Sequence, residues 1–290
     1  MMQNVHRPAS LTLLGGRPLK TIKIHSKNAA YQKFEVLKAN RNKRYRYFEF
    51  FVEGVRNINE AIANGWSIVS FLYAPEKPLS GWARDILNAV QTDINYELPE
   101  SLMAELSGKT DTSELMAVVK MREDDFSRLP SANNPLFVLF DRPSNKGNLG
   151  TIIRSCDAMG VDGLILTGHA VDLYDPEVAV SSMGSFFHIP SIRIPDNEQV
   201  FSWIAQMRER YPSFQVIGTT AHKEKNIGDV DLRRPTLIMI GNETDGLCRA
   251  FKEGCDTLAT IPMSGQSSAS SLNVACAATV LFYEAARQRG

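Results

Sequence analysis

The sequence predicts a two-domain α/β protein in which a smaller α/β domain precedes a larger domain built on a parallel sheet. The length of 290 residues suits one large or two ordinary domains. A polar, acidic and proline-punctuated stretch at 123–135 separates two segments with different patterns. After this stretch, near-continuous apolar runs alternate with helical patterns, as is typical of strands buried on both faces of a parallel sheet.

The composition is that of a globular protein, with 43% hydrophobic and 22% charged residues. No apolar run approaches the roughly 20 residues that a membrane span requires, and no apolar segment of the kind found in secretory signals follows the N-terminus. The four cysteines form no Cys-x-x-Cys pair, and with five scattered histidines they give no metal-ligand spacing. We therefore expect a cytoplasmic protein with reduced thiols, no membrane segment and no bound metal.

The charge distribution is uneven although the net charge is zero. Residues 1–56 contain twelve Lys or Arg and three Asp or Glu, and the remainder is correspondingly acidic. Such asymmetry indicates a polyanionic partner at the basic end, with a solvated basic tail as the alternative. Cations alternate with tyrosines at 40–47, which suits RNA because cations neutralise phosphates and aromatic rings stack on unpaired bases. The predicted RNA contacts are Arg41, Lys43, Arg44 and Arg46.

The first domain is predicted at 21–122, after a flexible N-terminal arm at 1–20 in which prolines and glycines interrupt any periodicity. The predicted strands are 21–24, 48–54, 68–73 and 115–120, and the predicted helices are 28–47, 55–64, 81–91 and 97–107. Gly65 follows one of these helices at the position where a glycine commonly ends a helix. This domain is the predicted RNA-binding domain, and 123–135 is the predicted linker.

The second domain is predicted at 136–290 and alternates strands with helices. The predicted strands are 136–141, 162–168, 188–194, 214–219, 236–241 and 257–262, and the predicted helices are 149–159, 175–184, 197–209, 246–254 and 271–288. The last helix is apolar nearly all round, so we expect it to be buried in a core or an interface.

Two late strands end in glycine and polar residues, at 240–247 and at 261–265, and the second is followed by Ser-Leu-Asn-Val-Ala at 271–275. Ligands in open α/β sheets bind beyond the carboxyl ends of the strands, and glycine lets a backbone approach a ligand closely. An earlier segment at 145–154 pairs with these loops, and we expect one pocket. No Gly-x-Gly-x-x-Gly follows a strand and no P-loop is present, which disfavours a Rossmann methyltransferase or dehydrogenase.

Taken in order, these segments resemble the motifs of the SpoU/TrmH family of the SPOUT superfamily. The resemblance rests on Asn148 and Arg154 six positions apart, Gly-x-Glu-x-x-Gly-Leu at 241–247, Ile-Pro-Met at 261–263 and Ser-Leu-Asn-Val at 271–274. It covers about half of the chain. Members of this family are RNA ribose 2′-O-methyltransferases that use S-adenosylmethionine.

The resemblance implies a SPOUT-type fold in which the C-terminal segment threads through a loop to form a trefoil knot. It also implies that the N-terminal domain resembles a small ribosomal-protein fold that binds RNA. The protein is expected to form a homodimer, with the active site near an interface shared by two C-terminal helices.

By the same resemblance, Gly241, Ile261 and Leu272 contact the cofactor, and Thr219 is a further candidate. Ordinary core packing is the alternative for the two aliphatic residues. Residues 266–270 make the loop before Leu272 about two residues longer than the family pattern, which predicts a roomier or more mobile loop over the cofactor.

The implied catalytic residues are Arg154, Asn148, Glu243, Ser271 and Asn273. A guanidinium is effectively always protonated, so we expect Arg154 to clamp the target phosphate and lower the pKa of the hydroxyl rather than act as a base. Asn148 can cap the helix that carries this arginine and position the substrate. Glu243 orients the arginine or accepts a proton, with a turn cap as the alternative. Ser271, a candidate N-cap, and Asn273 are expected to line the site.

The predicted function is S-adenosylmethionine-dependent methyl transfer to a ribose 2′-hydroxyl of structured RNA. The resemblance favours rRNA over tRNA, because a ribosomal-protein-like domain accompanies the family's rRNA members. The alternatives are a tRNA 2′-O-methyltransferase, a catalytically inactive RNA-binding protein that keeps the fold, and a methyltransferase acting on a base or a protein.

Overall fold

The computed structural model describes residues 20–222 and 224–290. The chain divides into two compact units between Met121 and Arg122, one residue from the predicted end of the first domain. The predicted arm at 1–20 lies outside the described residues except for Lys20. Within the described part of the chain, no helix is long and apolar enough to cross a membrane.

The first unit, over residues 20–121, is organised around a mixed five-stranded sheet. Its strands are β1 (Thr21–Lys23), β2 (Glu49–Glu53), β3 (Ile68–Tyr73), β4 (Asn95–Glu97) and β5 (Leu115–Lys120). Its helices are α1 (Ala29–Ala39), α2 (Arg41–Tyr47), α3 (Val55–Ala63), α4 (Gly81–Ala89) and α5 (Glu100–Ser107). The strand order is β1-β4-β3-β5-β2, with β5 antiparallel to both of its neighbours and the other pairs parallel.

The predicted helix at 28–47 is two helices, because Asn40 has an extended backbone (φ −123°, ψ 110°). Its side chain accepts a hydrogen bond from the backbone N–H of Lys43 at 3.1 Å and so caps α2. The predicted helix at 97–107 begins only at Glu100, since residues 95–97 pair with β1 and β3 as a short strand.

The second unit, from Arg122 onward, contains a seven-stranded sheet in which every pair of neighbours is parallel. Its strands are β6 (Leu136–Asp141), β7 (Gly163–Thr167), β8 (Ser191–Arg193), β9 (Gln215–Thr219), β10 (Lys225–Asn226), β11 (Thr236–Ile240) and β12 (Thr257–Thr260). Its helices are α6 (Lys146–Ala158), α7 (Pro176–Ser181), α8 (Ser185–His188), α9 (Asn197–Arg210), α10 (Arg249–Gly254) and α11 (Val274–Arg289). The strand order is β10-β12-β9-β11-β6-β7-β8. The near-continuous apolar runs are therefore buried parallel strands, as expected.

Several boundaries in the second unit differ from the prediction. The predicted strand at 188–194 is shorter, because α8 occupies Ser185–His188. The predicted helices at 246–254 and 271–288 begin later, at Arg249 and Val274. In both cases the preceding residues form loops instead of a first helical turn.

The segment predicted as a linker, 123–135, packs on the second unit. The Phe126 ring stacks on Trp203 with centroids 5.2 Å apart, and Leu129 is buried in the same hydrophobic core. The Arg128 guanidinium donates a hydrogen bond to the Ser191 carbonyl at 3.1 Å. The polar composition of segment 123–135 therefore reflects its position on the surface of the second unit, where a few side chains pack into or bond to that unit, and does not indicate a free linker.

The last helix, α11, is only partly buried. Ala278 and Phe282 are completely buried, whereas Val280 and Tyr283 remain 41% and 56% exposed. Both α11 and α7 pack against α6. An apolar helix with an exposed apolar face is typical of a subunit interface.

The parallel order places the loops that carry the motifs side by side. Since all the strands run in one direction, their carboxyl ends lie at one edge of the sheet. Strands β12, β9 and β11 are consecutive neighbours, so the loops that follow them meet at this edge.

Candidate active site

A cavity of about 380 Å³ opens at this edge of the sheet. Its walls come from the loops after β9, β11 and β12 and from the beginning of α11. All four predicted cofactor contacts, Thr219, Gly241, Ile261 and Leu272, line it. The volume is in the range of pockets for small molecules and cofactors, which starts at about 300 Å³.

Gly241 begins the loop after β11, and its lack of a side chain determines the shape of the cavity wall. A Cβ atom there would lie 2.2 Å from both the carbonyl carbon of Gly246 and the backbone nitrogen of Leu247. Gly246 itself has φ +68°, a conformation that glycine adopts without strain. The loop folds back on its own strand end because these two positions are glycines.

The loop between these glycines is held by its own hydrogen bonds. Asn242 and Gly246 each donate a backbone N–H to the carbonyl of the other, at 3.1 and 3.0 Å. The Asn242 side-chain oxygen accepts from the backbone N–H groups of Thr244 and Asp245 at 2.8 and 3.2 Å. The polar residues that interrupt the strand pattern therefore form a defined turn.

Thr219 and the loop after β12 complete the wall. The Thr219 hydroxyl donates to the Met239 carbonyl at 2.9 Å, so it joins β9 to β11. Residues 266–269, in the longer part of the last loop, are exposed and do not line the cavity, whereas Ser270 and Leu272 do. The extra length therefore loops outward and leaves Leu272, which is 40% exposed, at the cavity.

Glu243 connects this loop to the start of α6. Its carboxylate accepts hydrogen bonds from the backbone and the hydroxyl of Ser144 at 3.0 and 2.7 Å, and from the backbone of Asn145 at 3.2 Å. The Asn148 side-chain amide donates to it at 3.4 Å. Within one chain, the partners of the carboxylate are the residues before and within the first turn of α6, so the pairing of Glu243 with Arg154 stays a prediction.

These contacts also determine how well Glu243 could accept a proton, because they change its pKa. Burial alone would raise the pKa of Glu243, but hydrogen bonds from Ser144 and Asn148 and from backbone N–H groups outweigh it and leave the pKa below its ordinary value. A carboxylate with a lowered pKa is a weak base at neutral pH. The side chain is therefore suited to holding two loops together rather than to removing a proton.

We expect Glu243→Gln to destabilise this unit by about 1 kcal/mol at pH 7, because an amide cannot accept all of these donors and the half-buried group is partly screened by solvent. A depressed pKa adds stability above the ordinary glutamate value and loses it as the pH falls through the lowered value. The difference between wild type and variant should therefore shrink at acidic pH. Urea unfolding at pH 7 and pH 4 measures this, and a difference that is constant with pH would contradict the assignment.

The two asparagines of the motif meet next to residues that line the cavity, since Asn273 lies between Leu272 and Val274 and Asn148 contacts Glu243, but the helix caps differ from the prediction. The Asn273 side-chain amide donates to the Asn148 side-chain oxygen at 3.3 Å. Asn145, and not Asn148, caps α6, since its side chain accepts from the Asn148 backbone N–H at 2.9 Å. Asn273, and not Ser271, caps α11, and Ser271 lines the cavity.

Arg154 lies apart from the cavity within a single chain. It sits on α6 with an exposed side chain, and it is not among the residues that line the cavity. Within the described part of the chain its guanidinium has no hydrogen-bond or ion-pair partner. The structure thus brings together four of the five predicted catalytic residues, around Glu243 and the cavity, and leaves the arginine exposed on its helix.

Neither Ser144 nor Asn145 was predicted from the sequence as a partner of Glu243. Asn145 was part of the motif segment, and an Asn three residues before the helix interior is a capping signal that could have revealed it. Nothing in the sequence links Ser144 to a residue 99 positions later.

Comparison with known proteins decides the family. The pattern of the SpoU rRNA Methylase family matches residues 135–283, just over half of the chain, and that of the SpoU L30e-like domain matches residues 28–117. This chain belongs to the SpoU rRNA methylase family.

Curated relatives of this SpoU chain extend well beyond the catalytic unit. The 23S rRNA (uridine(2479)-2′-O)-methyltransferase of Streptomyces viridochromogenes is 45% identical over 276 residues, which is 95% of each chain. The 23S rRNA (guanosine(2553)-2′-O)-methyltransferase RlmP of Bacillus subtilis is 28% identical and covers 81% of this chain and 87% of its own.

Solved structures have the same fold. The SpoU methyltransferase AviRb from Streptomyces viridochromogenes, in complex with S-adenosylmethionine, superposes with a TM-score of 0.85 at 44% identity, over 90% of this chain and 98% of that chain. The S-adenosylmethionine-bound rRNA methyltransferase from Sinorhizobium meliloti gives a TM-score of 0.78 at 26% identity, over 92% and 98%.

The predictions of a SPOUT-type fold, of S-adenosylmethionine as cofactor and of RNA ribose 2′-O-methyltransferase activity are confirmed for this SpoU chain. The cavity fits the cofactor, since Ile261 and Leu272 provide apolar surface and Gly241 exposes backbone to a ligand. Among the described residues, no group of three or more His, Cys, Asp or Glu could hold a metal ion.

The predicted RNA contacts of the SpoU chain all lie on α2, but they do not share one environment. Arg46 is exposed and Arg41 and Lys43 are partly exposed, and the Arg41 guanidinium lies 5.8 Å from the centre of the Tyr45 ring. Arg44 is 1% exposed and donates to the carbonyls of Leu37 and Lys38 at 2.8 and 2.9 Å. Arg44 was therefore wrong as an RNA contact, because it joins α2 to the end of α1.

Arg44 and Arg46 form a matched pair for testing this distinction in the SpoU protein. We expect Arg44→Met to lower the free energy of unfolding by about 2–3 kcal/mol, because the buried carbonyl of Leu37 and the partly buried carbonyl of Lys38 lose their donor. Arg46→Met should keep wild-type stability but weaken RNA binding and reduce its salt dependence by about one phosphate contact. Thermal unfolding and RNA filter binding at several salt concentrations measure both effects, and equal stability of the two variants would contradict the assignment.

Proposed function

We propose that this enzyme methylates the ribose 2′-hydroxyl of a uridine in 23S rRNA, in the cytoplasm. The activity class is that of its family, and the relative that supports the choice of RNA and nucleotide is the Streptomyces viridochromogenes uridine methyltransferase, 45% identical over 95% of each chain. The observation that carries the chemistry is the convergence of all four predicted cofactor contacts on one cavity that Glu243 also lines, with Asn148 bonded to Glu243 and Asn273 bonded to Asn148.

Bound S-adenosylmethionine supplies an electrophilic methyl group on a sulfonium. The chain's task is to hold the 2′-oxygen in line with that methyl group, so that the new O–C bond forms as the S–C bond breaks and the thioether leaves. Asn148 and Asn273 have the amide groups to position a ribose next to the cavity, and Glu243 fixes the start of α6. Arg154 binds the adjacent phosphate and favours loss of the hydroxyl proton to solvent, since a guanidinium stabilises developing negative charge without itself accepting a proton.

We further infer that two subunits pair through the side of the catalytic unit formed by α6, α7 and α11. Val180 at the end of α7, Met183 just after it, and Val280 and Tyr283 on α11 are all more than 40% exposed, although they are apolar or aromatic. Both helices pack on α6, the helix that carries Arg154. Pairing there covers the apolar side chains and brings Arg154 of one subunit to the cavity of its partner.

Tyr283→Lys tests the pairing. A buried, unpaired ammonium in the interface is strongly unfavourable, so we expect the variant to sediment as a monomer at micromolar concentration and to lose at least about tenfold of its methyl transfer. Val55→Lys, at an apolar residue in the first unit that is 51% exposed, serves as the control for surface charge. A variant that remains dimeric, or a monomer with full activity, would refute the shared site.

The substrate is tested by incubating the protein with S-[methyl-³H]adenosylmethionine and separated 23S rRNA, 16S rRNA and tRNA. A 2′-O-methyl group blocks alkaline cleavage, so the expected product is an alkali-resistant dinucleotide from 23S rRNA that contains methylated uridine. Label in tRNA would favour the tRNA alternative. Label in the mononucleotides that alkali releases would favour methylation of a base, and label in protein would favour a protein acceptor. Absence of saturable cofactor binding in calorimetry would favour an inactive RNA-binding protein.

A further inference from the structure

Arg142, the first residue after β6, has a backbone conformation that is unusual for a residue with a side chain. Its φ is +51°, in the left-handed region that a residue other than glycine rarely adopts. Its carbonyl accepts a hydrogen bond from the Asn242 side-chain amide at 2.7 Å. The strained backbone therefore faces the loop that forms one wall of the cavity.

The Arg142 side chain also contacts this loop. Its guanidinium donates to the Gly246 carbonyl at 3.0 Å and lies 3.8 Å from the Asp245 carboxylate. Nε and one terminal nitrogen also donate to the two oxygens of Asp141, both at 3.1 Å, which is a bidentate pair. One residue thus joins both ends of the Asn242–Gly246 turn to the end of β6.

The buried Asp141 holds the partly exposed guanidinium in place. It is 1% exposed, and it also accepts hydrogen bonds from the Cys248 backbone at 2.7 Å and from the Thr167 hydroxyl at 3.1 Å. Gly168 leaves room for the arginine, since a Cβ there would lie 2.7 Å from the Arg142 Cγ. The network therefore links β6 and β7 to both ends of the cavity loop.

We propose that Arg142 is a positioning residue that sets the conformation of the 242–247 loop and thereby the affinity for the cofactor. Arg142 itself does not line the cavity, whereas every residue from Asn242 to Leu247 does. The inference rests on the proposed use of this cavity for S-adenosylmethionine, and it assigns to the arginine no contact with the cofactor or the RNA.

The test compares wild type, Arg142→Ala and Arg142→Lys by calorimetry with S-adenosylhomocysteine, by steady-state kinetics and by amide hydrogen exchange. For Arg142→Ala we expect at least about tenfold weaker binding, a matching rise in the KM for S-adenosylmethionine, little change in kcat, and faster exchange confined to 242–248. Arg142→Lys should lie between the two, because an ammonium cannot hold Asp141 and Gly246 with the geometry of a planar fork.

Arg233→Ala is the matched control, since this exposed arginine pairs with Asp231 only two residues away. Wild-type binding and wild-type loop exchange in both Arg142 variants would overturn the inference. If Arg142→Ala does not fold, the affinity of Arg142→Lys for S-adenosylhomocysteine provides the test. A wild-type affinity in that variant would refute the positioning role. Failure of the wild-type protein itself to bind S-adenosylhomocysteine would instead refute the proposed use of the cavity, so the two failures are distinguishable.

Discussion

Arg154→Ala is expected to lower methyl transfer by about 100- to 1,000-fold while S-adenosylhomocysteine binds as in wild type. The reason is that the guanidinium is exposed on α6 and does not line the cavity of its own chain, and in the proposed dimer it meets the target phosphate at the partner's cavity rather than the cofactor. Its proposed contribution is to the charge that develops on the ribose oxygen during transfer. Single-turnover transfer to the RNA, measured beside calorimetric binding, separates the two effects.

Arg154→Lys and Arg210→Ala are the comparison and control variants for Arg154→Ala. Lysine keeps the charge but loses the bidentate geometry, so transfer should fall by about tenfold. Arg210 lies at the exposed end of α9 and reports any general effect of removing an arginine from this unit. Full transfer activity in Arg154→Ala would remove the arginine from the mechanism.

Gly241→Ala is expected to weaken cofactor binding by at least about 100-fold. We also expect it to lower the free energy of unfolding of the catalytic unit by about 3 kcal/mol. The new methyl group would lie 2.2 Å from two backbone atoms of residues 246 and 247, and a backbone cannot move aside as a flexible side chain can. The loop would have to leave the end of β11 and so open one wall of the cavity. Calorimetry with S-adenosylhomocysteine and thermal unfolding measure the two losses.

Gly265→Ala provides the control in the neighbouring loop. A Cβ at Gly265 meets no atom within 4 Å, so this variant should bind the cofactor and unfold like wild type. Equal behaviour of the two alanine variants would show that close packing at Gly241 does not shape the cavity.

The elements that the sequence predicted well are those encoded by local patterns. The apolar runs of β6 and β11 and the amphipathic pattern of α9 lie close to their predicted bounds, because burial on a sheet or against it imposes a short repeat on neighbouring residues. The cavity loops were equally visible, since glycine and polar residues interrupt these runs where strands end.

The details that the sequence did not predict depend on contacts between separate helices, strands and loops. A run of cations on α2 gave no sign that Arg44 turns inward, because its partners are carbonyls at the end of another helix. The side chain of Glu243 could not be assigned either, as its donors lie almost a hundred positions earlier.

The sequence by itself therefore determined the parallel α/β unit, the loops that form its cofactor cavity and the family to which the chain belongs. Only the tertiary structure decided which polar side chains meet: Glu243 with the start of α6, Asn273 with Asn148, and Arg142 with the cavity loop. The physical reason is that strand and helix patterns repeat over a few residues. A hydrogen bond between distant segments, in contrast, leaves no periodic trace and requires the folded backbone to bring donor and acceptor together.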